Sequence, residues 1–92
     1  MKQLKIFYLE GCPYCRRARE AVRELTAERP AYAKAEIEWI EETLQPAVAD
    51  RYDYWYVPSV FLGERKLFEA APTDTFQSLK KAMQSALDAA IS

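Results

Sequence analysis

The chain has no histidine and only two cysteines, Cys12 and Cys15, among its 92 residues. A cysteine hydrolase needs an imidazole to activate its thiol, and a structural zinc site needs four nitrogen or sulfur ligands. Both classes are therefore disfavoured, because a zinc ion would need carboxylates or a second chain to complete its ligand set.

The chain also has little net charge and no long hydrophobic run. Its 13 basic and 14 acidic side chains leave a formal net charge of −1, which argues against nucleic-acid binding. The N-terminal apolar run is too short for a signal-peptide core, and no run approaches the length of a membrane span. We therefore expect a cytoplasmic protein, whose close cysteine pair is catalytic, redox-sensing or metal-binding.

The length and composition predict one compact domain covering residues 1–92, because half of the residues are hydrophobic and 29% are charged. Residues 3–9 are rich in β-branched and aromatic residues and predict a buried strand. Helical spacing then begins at Pro13, continues to about Glu28 and should end before Pro30. Residues 35–42 alternate well enough for a second strand, with Ile37, Trp39 and Ile40 buried.

The second half predicts a short helix, a hairpin and a long terminal helix. Thr43 is expected to cap a helix that runs to about Arg51 and carries Pro46 in its first turn. Residues 57–62 and 65–70 read as two strands joined by a tight turn at 63–64. Asp74 is expected to cap the last helix, with Gln77 completing a capping box. Its apolar face is formed by Phe76, Leu79, Met83, Leu87 and Ile91.

The predicted order is therefore β-α-β-α-β-β-α. The first two strands and the helix between them form a parallel, right-handed crossover unit, while the hairpin adds antiparallel strands to the same sheet. An α/β fold follows, with a four-stranded mixed sheet and helices on both faces.

The two cysteines frame the segment Cys12-Pro13-Tyr14-Cys15 at the predicted start of the first helix. Unpaired backbone N–H groups and the helix dipole stabilise negative charge there, which favours Cys12 as a thiolate nucleophile. Cys15 lies within the first turn and is placed to resolve a mixed disulfide on Cys12. Arg16 and Arg17 either add to the positive charge or simply face water.

A second feature is Val57-Pro58 at the start of the third strand, where a proline gives up no central ladder bond. The aromatic run from Tyr52 to Tyr56 comes immediately before it and has two interpretations. Its side chains either form an apolar rim for a protein or peptide disulfide, or half of them alternate into the core and the rest shield the connection from helix to strand.

Together, C-P-Y-C after a strand, V-P-S-V-F-L, a hairpin and a final helix resemble a glutaredoxin, a member of the thioredoxin-fold superfamily. The resemblance covers nearly the whole chain and implies that Cys12 is the nucleophile and Cys15 the resolving thiol. It also implies a glutathione site walled by Tyr14, a cis-proline at Pro58, and backbone contacts from Val57 to the peptide part of glutathione.

Three positions depart from the family pattern. Leu9 stands where glutaredoxins commonly have a lysine three residues before the first cysteine, and Tyr56 replaces the threonine before Val-Pro. The family's Gly-Gly-x-Asp segment reads L-F-E-A-A-P-T-D, in which only Asp74 can be matched, with a shift in spacing. A lost charge-assisted contact costs about 1.5–3 kcal/mol, so these changes weaken glutathione recognition more than disulfide chemistry.

The resemblance implies a monomeric thiol-disulfide oxidoreductase that binds no metal or cofactor. Its substrates would be protein disulfides or glutathione mixed disulfides, and its electron donor glutathione or a thioredoxin-reductase-type enzyme. Two alternatives use the same cysteines: glutathione-dependent iron–sulfur cluster binding, against which Pro13 counts, and a redox-sensing adaptor without turnover.

Overall fold

The computed structural model describes residues 3–92. The strands are β1 (Leu4–Tyr8), β2 (Ile37–Glu41), β3 (Ser59–Leu62) and β4 (Arg65–Glu69). The α-helices are α1 (Pro13–Glu28), α2 (Pro46–Ala49) and α3 (Phe76–Ile91), and a 3-10 helix spans Pro30–Lys34. Apart from this 3-10 helix, which lies between α1 and β2 where no element was predicted, the order of elements is as predicted.

The four strands form one mixed sheet in the order β2-β1-β3-β4. β1 pairs in parallel with β2, with Ile6 opposite Trp39, and pairs antiparallel with β3, with Ile6 opposite Val60. β4 pairs antiparallel with β3, with an irregularity in register between Val60 and Phe61. β1 is thus an inner strand, and the loop that follows it carries the two cysteines.

Alternation along β1 divides the core into two parts, because successive side chains point to opposite faces of a sheet. Leu4 and Ile6 face α1 and α3, which pack against each other on one side. The buried residues of this larger cluster are Leu4, Ile6, Ala18, Ala21, Leu25, Tyr32, Val60, Met83, Ala86, Leu87 and Ala90.

The opposite face is covered by α2 and the aromatic segment that follows it. Phe7, Ile40 and Phe61 are fully or nearly fully buried there, with Tyr52 and Tyr54 packed against them. The Phe7 ring centroid lies 4.9 Å from that of Tyr52 and 5.0 Å from that of Tyr54. Helical segments therefore cover both faces of the sheet, as the sequence predicts.

Two predicted helix caps are wrong, and in each case a local hydrogen bond explains why. Thr43 does not cap α2, because its backbone N–H and its hydroxyl both donate to Glu41 Oε1, and the N-cap residue is Gln45. Asp74 does not cap α3; the cap is Thr75, which exchanges hydrogen bonds with Ser78 in a capping box. α2 also ends at Ala49 rather than near Arg51.

Candidate active site at the start of the first helix

Cys12 is the N-cap residue of α1, and its thiol faces the first turn of the helix. Gly11, at φ +81°, lets the chain turn between β1 and α1, and Pro13 occupies a first-turn position where no N–H is needed. Cys12 Sγ then accepts a hydrogen bond from the Cys15 N–H at 3.3 Å. A half-exposed sulfur thus points at unpaired helical N–H groups, where negative charge is stabilised.

Cys15 lies beneath Cys12 in the same turn and is 4% exposed. Burial raises the pKa of the Cys15 thiol to about 12, and its hydrogen bond with Cys12 and the negative charge of Glu42 act in the same direction. The two cysteines are therefore unequal: one is half-exposed at a helix N-terminus, and the other is buried and held as a thiol.

Val57 and Pro58 come close to Cys12 although they are distant in sequence. The Val57 carbonyl oxygen lies 4.0 Å from Cys12 Sγ, the Val57–Pro58 peptide bond is cis, and Pro58 is buried. The predicted cysteine pair and the predicted proline thus lie at one site, with backbone atoms of residue 57 beside the thiol.

Tyr14 contacts the loop between β4 and α3, and Asp74 lies in that loop. The Tyr14 hydroxyl donates to the Pro72 carbonyl oxygen at 2.9 Å, which ties the first turn of α1 to this loop. The Asp74 carboxylate accepts from the Ala71 N–H and from the Ser78 hydroxyl, each at 2.7 Å. Its oxygens thus accept hydrogen bonds from the loop and from α3 and make no hydrogen bond to either cysteine.

A cavity of about 370 Å³ opens beside the two cysteines. Leu9, at the position where the family resemblance expects a lysine, is half-buried in its wall, and Arg16 and Arg19 supply its positive charge. The Arg19 guanidinium lies 4.3 Å from the Trp39 ring centroid, a cation–π contact that holds it against the sheet. Arg19 was not singled out in the sequence, although its spacing of four from Cys15 places the two on one side of the helix.

Glu69 is a second residue that sequence reasoning missed. Its Oε2 accepts from the backbone N–H groups of Trp55 and Tyr56, at 2.8 and 2.9 Å, and its Oε1 pairs with Lys66 Nζ at 2.7 Å. The Lys66 hydrogen bond, followed by the two backbone donors, lowers the pKa of the Glu69 carboxyl. No short-range pattern relates residue 69 to residues 55 and 56, so only the folded chain reveals the contact.

Across residues 3–92, no three cysteine, aspartate or glutamate side chains are grouped so that they could hold a metal ion. None of the helices described above is long and apolar enough to cross a membrane.

Comparison with known proteins identifies the fold. No family model matches the chain, and a search of curated proteins finds no match either. Among solved structures, the chain is similar to a mutant thioredoxin from Halobacterium salinarum NRC-1, with 22% sequence identity and a TM-score of 0.57. The match covers 91% of this chain and 73% of that one. The chain therefore has the thioredoxin fold, with Cys12 and Cys15 together at the start of its first helix.

Proposed function

We propose that the protein is a thiol-disulfide oxidoreductase that reduces protein disulfides or glutathione mixed disulfides. One observation carries the proposal: the half-exposed Cys12 sulfur accepts the Cys15 N–H at the N-terminus of α1, directly above the buried Cys15 thiol. This arrangement offers one nucleophilic sulfur to a substrate and keeps the second out of reach until the first has reacted.

The reaction follows from the unequal environments of the two thiols. The Cys12 thiolate attacks one sulfur of the substrate disulfide, the S–S bond breaks, and the first substrate thiolate leaves and takes up a proton. Cys15 then attacks Cys12 Sγ in the mixed disulfide, and its proton passes to the second departing substrate thiolate. Two electrons have moved from the protein to the substrate, and Cys12 and Cys15 are joined by a disulfide.

Burial of Cys15 governs the order of these steps. Since its pKa is raised to about 12, Cys15 remains a thiol at neutral pH and does not compete with Cys12 for the substrate. Its attack becomes favourable only after Cys12 is bound in a mixed disulfide, because Cys15 is then held within one helical turn of its target.

Substrate contacts are proposed for Tyr14, Val57, Pro58 and Asp74, of which the cis-proline Pro58 would face the thiols. The polar backbone atoms of Val57, beside Cys12 and next to Pro58, would pair with an extended substrate. Tyr14 would form a wall of the glutathione site, and the Asp74 carboxylate would face the ammonium group of glutathione. The Asp74 carboxylate would then accept from glutathione in addition to the Ala71 N–H and the Ser78 hydroxyl, from which it already accepts hydrogen bonds.

We propose glutathione as the electron donor. The protein is proposed to act in the cytoplasm and as a monomer. The cavity next to the cysteines supports glutathione as the donor, because its wall carries two cationic groups, Arg16 and Arg19, against one carboxylate, Glu10, and glutathione carries two carboxylates that such cations bind. A dithiol donor such as a thioredoxin-reductase-type enzyme is the alternative. Reduction of the oxidised protein by each donor, followed by tryptophan fluorescence, separates the two, and fast reduction only by the reductase would exclude glutathione.

The proposed activity is tested with two substitutions of equal size, Cys12→Ser and Cys15→Ser. We expect Cys12→Ser to abolish reduction of a disulfide substrate. Cys15→Ser should keep the first step and accumulate a mixed disulfide that mass spectrometry detects. If the wild-type protein does not reduce any disulfide, or if Cys12→Ser retains wild-type turnover, the assignment as an oxidoreductase is wrong. A protein that cycles its disulfide without turnover would be a redox sensor.

A further inference from the structure

The aromatic run before Val57 is divided between the core and the surface. Tyr52 and Tyr54 pack against Phe7 in the smaller core cluster. In contrast, Trp55 is 88% exposed and Tyr56 is 56% exposed. The interpretation that the run divides between the core and the surface is therefore confirmed, whereas the rim for a peptide disulfide stays a prediction, and the two exposed rings need a separate explanation.

The backbone of the exposed pair is fixed by hydrogen bonds to side chains of β4. Glu69 accepts the N–H groups of both Trp55 and Tyr56, and Lys66 Nζ pairs with Glu69 and also donates to the Asp53 carbonyl oxygen at 3.0 Å. Charge-assisted hydrogen bonds of this kind are stronger than neutral ones. The segment is thus ordered before any ligand arrives, while its two largest side chains remain in water.

This exposed pair adjoins the thiol site along the chain. Tyr56 directly precedes Val57, whose carbonyl oxygen lies 4.0 Å from Cys12 Sγ. An extended chain advances at most about 3.6 Å per residue, so the Trp55 backbone is no more than roughly 7 Å along the chain from that of Val57. A polypeptide bound beside Cys12 would pass next to these rings, whereas a disulfide of a few atoms would not reach them.

We infer that Trp55 and Tyr56 form a recognition surface for the polypeptide that flanks a target disulfide, so that the enzyme prefers peptide and protein disulfides to small ones. This inference rests on the proposed function and specifies its substrate class. Trp and Tyr bury large apolar areas at a low cost in side-chain entropy. Because the backbone is already fixed by Glu69 and Lys66, little further ordering opposes binding.

The test compares two substrates in a single-turnover reaction that needs no electron donor. Fully reduced protein is mixed with an excess of either a disulfide-bonded peptide of about ten residues or 2-hydroxyethyl disulfide, and the reaction is quenched with acid. Remaining protein thiols are then alkylated and counted by mass spectrometry. The second-order rate constant for each substrate is the measured quantity.

We expect Trp55→Ala to lower the rate constant for the peptide about tenfold, a typical effect of removing an aromatic anchor. The rate constant for 2-hydroxyethyl disulfide should stay within twofold of wild type, and Trp55→Phe should restore most of the peptide rate. Leu44→Ala is the matched control, because Leu44 is also a large apolar side chain and is 79% exposed. It should leave both rate constants within twofold.

Failure of this inference can be distinguished from failure of the proposed function. If Trp55→Ala lowers both rate constants equally, Trp55 acts on the structure of the site and recognition by the exposed pair is refuted. An unchanged peptide rate refutes it as well. In both cases the wild-type protein still reduces disulfides, so the oxidoreductase assignment stands. If the wild-type protein reacts with neither disulfide, the proposed function fails and this inference fails with it.

Discussion

Cys12 and Cys15 are expected to react with iodoacetamide at very different rates. Cys12 Sγ is half-exposed at the N-terminus of α1, whereas Cys15 is 4% exposed and its pKa is raised to about 12, chiefly by burial. Only a thiolate is alkylated efficiently. Two single-cysteine variants, Cys15→Ser and Cys12→Ser, isolate each thiol in the folded protein.

The magnitude follows from the fraction of thiolate. Relative to an ordinary thiol with a pKa of 9.0, a pKa of about 12 reduces the thiolate fraction at pH 8 by about a thousandfold. Cys12→Ser removes the contribution of Cys12 but leaves burial, the largest cause. We therefore expect Cys15 to be alkylated at least about a hundredfold more slowly than Cys12, as followed by intact-mass spectrometry.

Denaturation provides the control for this measurement. In 6 M guanidinium chloride the two variants should be alkylated at the same rate, because both thiols are then exposed. Native rates that agree within threefold would refute the unequal roles of the two thiols. The same raised pKa also predicts how the free energy of unfolding depends on pH. The contribution of the protonated Cys15 thiol is complete below about pH 9, the pKa of an ordinary thiol, and is lost as the pH rises toward about 12.

Two further predictions concern stability, measured by urea unfolding. Glu69→Gln should lower the free energy of unfolding at pH 7 by about 1–2 kcal/mol, because it weakens the charge-assisted bonds to Lys66 and to two backbone N–H groups. Since the pKa of Glu69 is lowered, the difference from wild type should shrink as the pH falls below 4.5, and a constant difference would contradict this cause. Met83→Ala should cost about 2–5 kcal/mol by leaving a cavity between α3 and the sheet, whereas Lys81→Ala on the exposed side of α3 should change stability by less than about 0.5 kcal/mol.

Elements marked by strong local signals were predictable from the sequence. The bounds of α1 match the prediction because Pro13 at one end and Pro30 beyond the other restrict the helix locally. The strands were located by β-branched and aromatic residues, and each is shorter than predicted by one to three residues. The parallel pairing of β1 with β2 followed from the crossover helix, and the antiparallel pairing of β3 with β4 from the short hairpin, whereas the pairing of β1 with β3 was not predicted.

Competition between neighbouring polar groups explains the misplaced caps. Thr43 and Asp74 are good capping residues, but Thr43 donates to Glu41, and Asp74 is used by the Ala71 N–H. Their sequence patterns do not show which partner each will find. The 3-10 helix was missed for a related reason, since it is fixed by a long-range contact in which the buried Tyr32 hydroxyl donates to Asp88 on α3.

The site was predictable in its chemistry and less so in its surroundings. Cys12, Cys15 and Val57 were recognised from the sequence, and the structure brings them together. Glu69 was not, because its contacts to Trp55 and Tyr56 depend on how β4 lies beside the segment before β3. Which aromatic rings of that segment are exposed also depends on tertiary packing, because residues 53–58 are irregular and do not alternate like a strand.

The division of the aromatic segment has a consequence for how such a protein would diverge during evolution. Tyr52 and Tyr54 are tied to the core, so selection for stability would restrict their replacement. Trp55 and Tyr56 reach solvent from a backbone that Glu69 holds independently of their side chains. Lineages that adopt new partners would therefore be free to exchange these two rings, and sequence variation should concentrate at two adjacent positions while the chemistry at Cys12 is inherited unchanged.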